Sequence, residues 1–493
     1  VFGIAKDLSG ESAMRAALGA GAIVLDVFSL DDKRTDHEKI QRIREIKPDI
    51  ILLTGGIDDG AKIQVIELAE LIKAAAPRSR FGTTLKLPVV YAGNKSAIDE
   101  VKKLLKEETH IIFVENVRPS LEKENLKPAR DAIHDFFLEH VMSHSPGFAK
   151  LKEWSSKPII PTPSAVGSVI QNYAEKSRKS VLCADIGGAT TDVFSVFYNE
   201  DKPVFTRTVS ANLGMSYSMA NVLVEAGIDK IKSWLPYSIK ESELRDQIRN
   251  KMIRPTSIPQ TLQDLWLEQA VCREALRLSL SHHRQLAVGL GGVSQRRGIS
   301  DIFSQQSTRT ELVDLNKLNI VIGSGGVLSH APNRVQTALM MIDGFELQGV
   351  TELAVDSIFM MPHLGVLSTV NPEASYEIFT NQCLINIGVS IAPVYPAKYN
   401  GEKLADVYIN GNKFSEIYPD KVERKKLPNS EELTLKVIPA TNKINVGNGA
   451  GNTIEKDIVY GEVGLIFDGR NRPFRKGKNI STQKEIFFSL GME

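Results

Sequence analysis

One stretch constrains this chain more than any other: Val181-Leu-Cys-Ala-Asp185-Ile-Gly187-Gly188-Ala-Thr190-Thr191-Asp192-Val-Phe-Ser-Val-Phe197. It reads as two apolar strands joined by a glycine turn, with an acid at each end of the turn. Such a turn is too small to pack as core. Gly187 and Gly188 have no side chains, so a bulky anion can approach their backbone N–H groups. Thr190 and Thr191 add hydroxyl donors. Asp185, at a strand end, can hold a hydrated divalent cation, and Asp192 closes the motif. Together these groups suit the phosphates and magnesium of a nucleotide. The plainer alternative is an ordinary hairpin with a Gly-Gly turn. The coincidence of five chemically apt residues with a strand–turn–strand context weighs against it.

A second element points the same way. Asn319-Ile-Val-Ile-Gly323-Ser324-Gly325-Gly326-Val-Leu-Ser329-His330 is an apolar strand running into a glycine-rich turn. The spacing of Val335, Ala338, Leu339 and Ile342 predicts a helix over 332–344. Glycines at a strand-to-helix turn let a flat ligand or a phosphate lie close to the backbone. Alone, such a loop is equally well explained by tight packing of a helix on a sheet. Paired with the upstream acid–glycine–threonine turn, it reads as the second half of a ligand site.

This pairing resembles the sugar kinase, heat-shock-protein-seventy and actin superfamily of ATPases. Asp185 to Asp192 is similar to its second phosphate loop, and Gly323 to Gly326 to its adenosine loop. The resemblance implies catalytic roles for Asp185, which would orient magnesium or water, and for Thr190, which would meet the γ-phosphate. It implies binding of ATP and Mg2+ by Gly187, Gly188, Thr191, Asp192, Gly323, Ser324, Gly325 and Gly326, with Asp185 as the metal ligand. Pro161-Thr162-Pro163-Ser164-Ala165-Val166 falls where the chaperones have a connecting helix opened by Glu-Pro-Thr-Ala-Ala. Thr162 stands where that glutamate would be, which points to slow or absent hydrolysis.

Over nearly its full length the chain resembles the MutL-type proteins associated with adenosylcobalamin-dependent glutamate (methylaspartate) mutase and related aminomutases, which are unrelated to the mismatch-repair proteins of that name. The likeness includes Arg15-Ala-Ala-Leu-Gly-Ala-Gly-Ala22, Lys47-Pro-Asp-Ile-Ile-Leu-Leu-Thr-Gly-Gly56, the segment from Val350 through Met361-Pro-His-Leu-Gly365, and Gly464-Leu-Ile-Phe-Asp-Gly-Arg-Asn-Arg-Pro473. It implies an α/β protein: an actin-like ATPase core (ribonuclease H-like), an added Rossmann-like α/β domain and a C-terminal β-domain. The superfamily's first phosphate loop, an Asp-x-Gly-Ser/Thr turn, has no match in residues 1–150, and the chain begins at Val1. The family's N-terminal segment is therefore expected to be missing, deleted or disordered.

Composition sets outer bounds. The 493 residues suffice for two to four domains, and 42% hydrophobic with 24% charged residues is ordinary for a globular chain. A net charge of +1 gives no electrostatic case for nucleic acid or an anionic membrane. No run approaches the apolar length of a membrane span, and no signal peptide is visible. Cys183, Cys272 and Cys383 lie far apart in apolar runs, and read as buried thiols of a cytoplasmic protein.

Three domains are expected: 1–155, 156–380 and 381–493. In the first, the apolar runs 22–28, 49–53, 87–91 and 111–114 alternate with amphipathic segments 61–75 and 97–105, which argues a parallel sheet covered on both faces. Thr54-Gly55-Gly56 and Ala92-Gly93-Asn94 fall beyond strand ends, where such sheets bind ligands; simple chain turning explains them equally well. The strand ending in Gly-Gly is faintly similar to cobalamin-binding domains, but their Asp-x-His-x-x-Gly motif is absent, and Asp36-His37 lie in a charged, exposed run. In the second domain, 261–287 is predicted as one long amphipathic helix on Leu262, Leu265, Trp266, Ala270, Ala275, Leu278 and Leu280. The superfamily covers adenine with such a helix. Arg273 and Arg277 are within its reach, although solvation or pairing with a neighbouring Glu is the commoner role. His282-His283 near its end favour the helix dipole when charged. In the third, strands at 383–389, 405–414, 433–438 and 461–467 carry Asn-Gly and proline punctuation. Gly447-x-Gly449-x-Gly451 lacks the following helix that a dinucleotide fingerprint needs. The loops Gly447 to Asn452 and Asp468 to Arg472 are candidate partner contacts.

The expected function is an ATP-binding, chaperone-like reactivating or accessory factor for an adenosylcobalamin-dependent mutase or aminomutase, a weak ATPase at most. Two alternatives stand beside it: an ATP-dependent hydantoinase or oxoprolinase-like enzyme, whose Gly-Gly-Thr-Ser-Thr-Asp turn is very similar, and a scaffold that binds nucleotide or a cobalamin-like ligand without hydrolysis.

Overall fold

Short apolar runs and amphipathic helices assemble a parallel sheet from the first part of the chain. The computed structural model describes residues 1–78, 86–121, 123–140, 147–157, 159–199, 201–289, 310–427, 432–474 and 480–492. Strands β1 (Phe2–Gly3), β2 (Phe28–Ser29), β3 (Ile51–Leu53), β4 (Leu87–Tyr91) and β5 (Thr109–Phe113) lie in the order β2-β1-β3-β4-β5, with parallel pairing. Side-chain alternation decides which helix covers which face. Leu53, Val89 and Tyr91 pack with helices Asp36–Ile46, Ile63–Ala75 and Ile98–Leu105. Leu52 and Val90 pack with helices Glu11–Gly19 and Lys127–His140. The strand expected at 22–28 shrinks to β2 at the sheet's edge, because Ile23 and Leu25 stay exposed and only Phe28 enters the core.

The chain divides into two compact units, Val1–Ile159 with Val288–Thr310, and Ile160–Ala287 with Glu311–Glu493. The two-residue strands β9 (Val288–Gly289) and β10 (Thr310–Glu311) pair with one another.

The second unit is built on strands β6 (Val181–Ile186), β7 (Thr191–Asn199), β8 (Lys202–Ser210), β11 (Ile320–Ser324), β12 (Gly349–Asp356), β13 (Leu384–Ala392), β14 (Ala405–Ile409), β15 (Asn412–Ile417), β16 (Val422–Lys425), β17 (Glu432–Pro439), β18 (Ile454–Val459) and β19 (Gly464–Asp468). Eight of them form one mixed sheet in the order β16-β19-β13-β12-β11-β6-β7-β8. β6, β11 and β12 are parallel, β7 and β8 form an antiparallel extension, and β13 runs antiparallel to β12. Cys183, Ile322 and Ala354 face helices Thr162–Ser177 and Met361–Ser368. Leu182, Val321 and Leu353 face helices Met219–Ala226, Leu262–Leu286 and Arg334–Phe345. Capping boxes start two of these, Thr261 with Asp264 and Asn333 with Gln336. The long helix and the post-glycine helix thus stand within two residues of where the periodicity puts them.

The break expected after residue 380 falls inside the second unit. β13, β19 and β16 continue the same sheet, while β15-β14-β17-β18 form a separate four-stranded antiparallel sheet. The protein is of the α/β class, with a parallel sheet, a mixed one and the smaller antiparallel sheet beside them in the chain.

Candidate functional site

Three parallel strands deliver an acid, a serine and an acid to one edge of the mixed sheet. Asp185 is the penultimate residue of β6, β11 ends on Ser324 and β12 on Asp356, with Ser324 paired to Asp185 and Gly323 to Val355. On the other side of β6, Asp192, the second residue of β7, stands directly opposite Asp185. Opposed residues of an antiparallel pair project from the same face. The Ser324 hydroxyl is hydrogen-bonded to the Asp185 carboxylate. Asp192 is 5% exposed, and its Oδ1 has no hydrogen-bond partner among the described residues. Asp356 is fully buried, and backbone N–H groups from Ile358 to Met361 point at its carboxylate, two of them at 3.3 Å.

Burial raises all three carboxyls above the ordinary carboxylate range. For Asp192 burial acts first and the neighbouring Asp185 charge second, and together they push it up to about 8 against the pull of Arg207. Asp185 is raised by burial and by Asp356, and lowered by Ser324. Asp356 is raised by burial and partly held down by its backbone donors. This edge is short of positive charge, which is the state expected of a site that takes a cation.

The turn between β6 and β7 is more tightly fastened than its composition implies. The Gly187 N–H donates to the Thr190 carbonyl at 2.9 Å and closes the turn, so it does not face an anion. The Gly187 and Gly188 carbonyls accept from the Met215 and Ser216 N–H groups, both at 2.9 Å. Thr191 is fully buried, and its hydroxyl donates to the Leu213 carbonyl. Thr191 therefore anchors the turn to the 213–216 segment and is turned away from any ligand. Thr190 is half-buried on the turn itself.

The glycines after β11 divide by role. A Cβ on Gly323 would press on Met341 and Leu328. Gly325 has φ +99°, and a Cβ there would lie 2.1 Å from the Ile186 carbonyl oxygen, so only glycine lets the loop cross the end of β6. Gly326 is exposed, with nothing within 4 Å of an added Cβ. Of the four predicted positions, Gly326 is the exposed one. The helical turn Gly326–Ser329 then leads to a cavity of about 480 Å3 lined by Ser329, His330, Ala331, Pro332, Asn333, Arg334 and Glu462.

Asp356 was not singled out from the sequence. Its signal is the pattern that marks Asp185, an apolar strand ending in an acid, here just before Met361-Pro-His-Leu-Gly365. Arg273 and Arg277 prove to be paired: Arg273 is 1% exposed and donates to Asp343 at 2.8 Å, and Arg277 donates to Glu274 at 2.8 Å. His283 is buried between Ser195 and Thr208 rather than serving the helix dipole. Thr162 is exposed at the first turn of its helix. The loop Gly447 to Asn452 is largely exposed, whereas Asp468, Arg470 and Arg472 are buried in an ionic network and offer no partner contact.

Among the described residues no group of three or more His, Cys, Asp or Glu side chains stands close enough to hold a metal ion alone. Magnesium does not demand that. It is commonly held by one or two carboxylates, with phosphate oxygens and water completing six ligands. Asp185, with the unpartnered Asp192 oxygen nearby, fits that pattern. Among the described residues no helix is long and apolar enough to cross a membrane.

Comparison with known proteins gives the family. The model of the MutL protein family matches residues 1–383. Protein MutL of Clostridium tetanomorphum is 29% identical over 402 residues, spanning 76% of this chain and 81% of the relative. The chain belongs to the MutL protein family.

Proposed function

We propose that the second unit binds magnesium ATP along the carboxylate edge, and that the protein is an ATP-dependent, chaperone-like reactivating or accessory factor for an adenosylcobalamin-dependent mutase of the glutamate mutase or aminomutase type. The observation that carries the nucleotide half is the meeting of Asp185, Asp192 and Asp356 at one sheet edge, with the exposed Gly326 following β11. The strand order β8-β7-β6-β11-β12, an antiparallel pair beside parallel strands, supports an actin-like ATPase core. The partner half rests on family membership and on the resemblance of the motifs.

Magnesium, when bound, would neutralise phosphate charge. Asp185 would hold the hydrated ion, fixed in orientation by the Ser324 hydroxyl. Asp192, carrying a proton near neutrality, would hold that proton beside Asp185 and release it as the cation arrives. Thr190 would offer its hydroxyl at the turn. The cavity beyond Ser329 would lodge the nucleoside. Thr162, in place of a glutamate, keeps hydrolysis slow.

Two measurements test this. Calorimetry should show magnesium-dependent ATP binding that is lost in Asp185→Ala. A cognate mutase carrying damaged cobalamin should recover only with this protein, ATP and fresh adenosylcobalamin together. Unchanged affinity in Asp185→Ala removes the site assignment, and equal recovery without the protein removes the reactivating role.

A further inference from the structure

Glu462 belongs to none of the site motifs, yet topology brings it to the carboxylate edge. β13 runs antiparallel to β12, and its first residue, Leu384, pairs with Asp356. β19 runs parallel to β13, with Gly464 beside Gly388. The loop before β19 therefore emerges at the same edge as Asp185, Ser324 and Asp356.

That loop is clamped. Arg424 donates through Nε to the Val463 carbonyl at 2.8 Å and through Nη2 to the Glu462 carbonyl at 2.9 Å. The Val463 N–H donates to the Ile387 carbonyl at 2.8 Å. A Cβ on Gly461 would lie 2.0 Å from the Asn386 carbonyl oxygen, so only glycine passes there. With its backbone fixed on both sides, Glu462 keeps an exposed carboxylate that is bonded to no side chain among the described residues, at the wall of the 480 Å3 cavity. The facing wall is also held. Arg334 donates through Nη1 to the Ser329 carbonyl at 2.6 Å, and the His330 ring stands edge-on to Phe359 with centroids 5.0 Å apart.

A carboxylate on a clamped backbone, at a cavity wall and unpaired among the described residues, is an acceptor waiting for an N–H or O–H donor. Its position decides which. Four strand spacings separate β6 from β19, about 19 Å at roughly 4.8 Å each. A nucleotide with its phosphates at Asp185 and Gly326 would reach that far only with its base. Resting on the nucleotide reading above, we propose that Glu462 is the base-reading residue of this site, accepting a hydrogen bond from the exocyclic amino group of adenine.

ATP and ITP separate the idea cleanly, since ITP places a carbonyl acceptor where ATP has the amino group. The wild-type protein should bind MgATP about tenfold or more tightly than MgITP, the usual worth of a charged hydrogen bond. Glu462→Ala should bring the ratio close to one. Glu462→Gln should narrow it by raising ITP affinity, because the amide can donate to the carbonyl. Asp185→Ala should weaken both nucleotides and leave the ratio unchanged. Both Glu462 variants should melt as the wild type does without ligand, since the side chain is exposed. A wild type without preference, or a preference that survives in both Glu462 variants, overturns the assignment while the nucleotide site stands. Failure of the wild type to bind either nucleotide overturns both.

Discussion

Asp185 and Asp192 stand directly opposite each other across β6 and β7, a half-buried and a buried carboxylate on one face of the sheet, with Asp192 Oδ1 bonded to nothing among the described residues. The pair is stable only while one member keeps a proton or a cation arrives between them. An acid raised above its usual range stabilises the fold fully below that range, and the contribution is lost as pH rises through the folded value, here about 8. The melting temperature of the ligand-free protein should therefore fall from about pH 4 to about pH 8 and level off above that. Asp192→Asn should flatten that fall, and magnesium with nucleotide should reduce it in the wild type. Parallel melting curves for wild type and variant would refute the pairing.

Gly325 and Gly326 are adjacent and should respond in opposite ways. Gly325→Ala forces a Cβ against the Ile186 carbonyl at positive φ, and should cost about 2 kcal/mol or more of stability. Gly326→Ala meets open space, so its denaturation curve should match the wild type's while MgATP affinity falls. Urea unfolding paired with calorimetry separates the two. Equal destabilisation by both would contradict the division of roles.

The buried ions are the part of the molecule that sequence reasoning misses most. Asp343 receives Arg273 Nε and Arg470 Nη1, each at 2.8 Å, and Asp468 receives Arg470 and Arg472 at 2.6 and 2.7 Å. Asp468-Gly-Arg-Asn-Arg472 reads locally as a charged loop, because the partners that bury it stand more than a hundred residues earlier. Thr191, likewise, is tied to the Leu213 carbonyl 22 residues later, a contact that its own motif does not announce. What was legible was local or periodic: the Asp185 to Asp192 hairpin, the glycine turn after β11, the 25-residue helix and the parallel first sheet. Carboxylates that meet only through strand order, such as Asp356, carry a signal too short to recognise alone.

That network makes a stability prediction. Removing one partner of a buried ion pair strands the other charge, typically at 3–5 kcal/mol, on the order of what Asp343→Ala should show in urea unfolding. Asp343→Ala leaves both Arg273 and Arg470 short of an acceptor, whereas Arg472→Met removes a single donor from Asp468 and should cost less. A change within experimental error for Asp343→Ala would show that water reaches this cluster.

His283 sets the acid limit. Its ring is fully buried, with Nδ1 2.9 Å from Thr208 Oγ1 and Nε2 2.7 Å from Ser195 Oγ. Burial, and to a lesser degree the Arg284 charge, lowers it to about 3, so it is neutral in the folded protein. A histidine depressed in this way stabilises the fold above its unfolded value of about 6.5, and the contribution is lost as pH falls toward the folded value. Stability should therefore drop between pH 6.5 and 4. His283→Gln cannot take that proton, so it should melt lower at pH 7 yet lose less on acidification, crossing or approaching the wild-type curve near pH 4. Imidazole proton resonances give an independent check. A His283 signal that titrates near pH 6.5 in the folded protein would place the ring in contact with water and defeat the prediction.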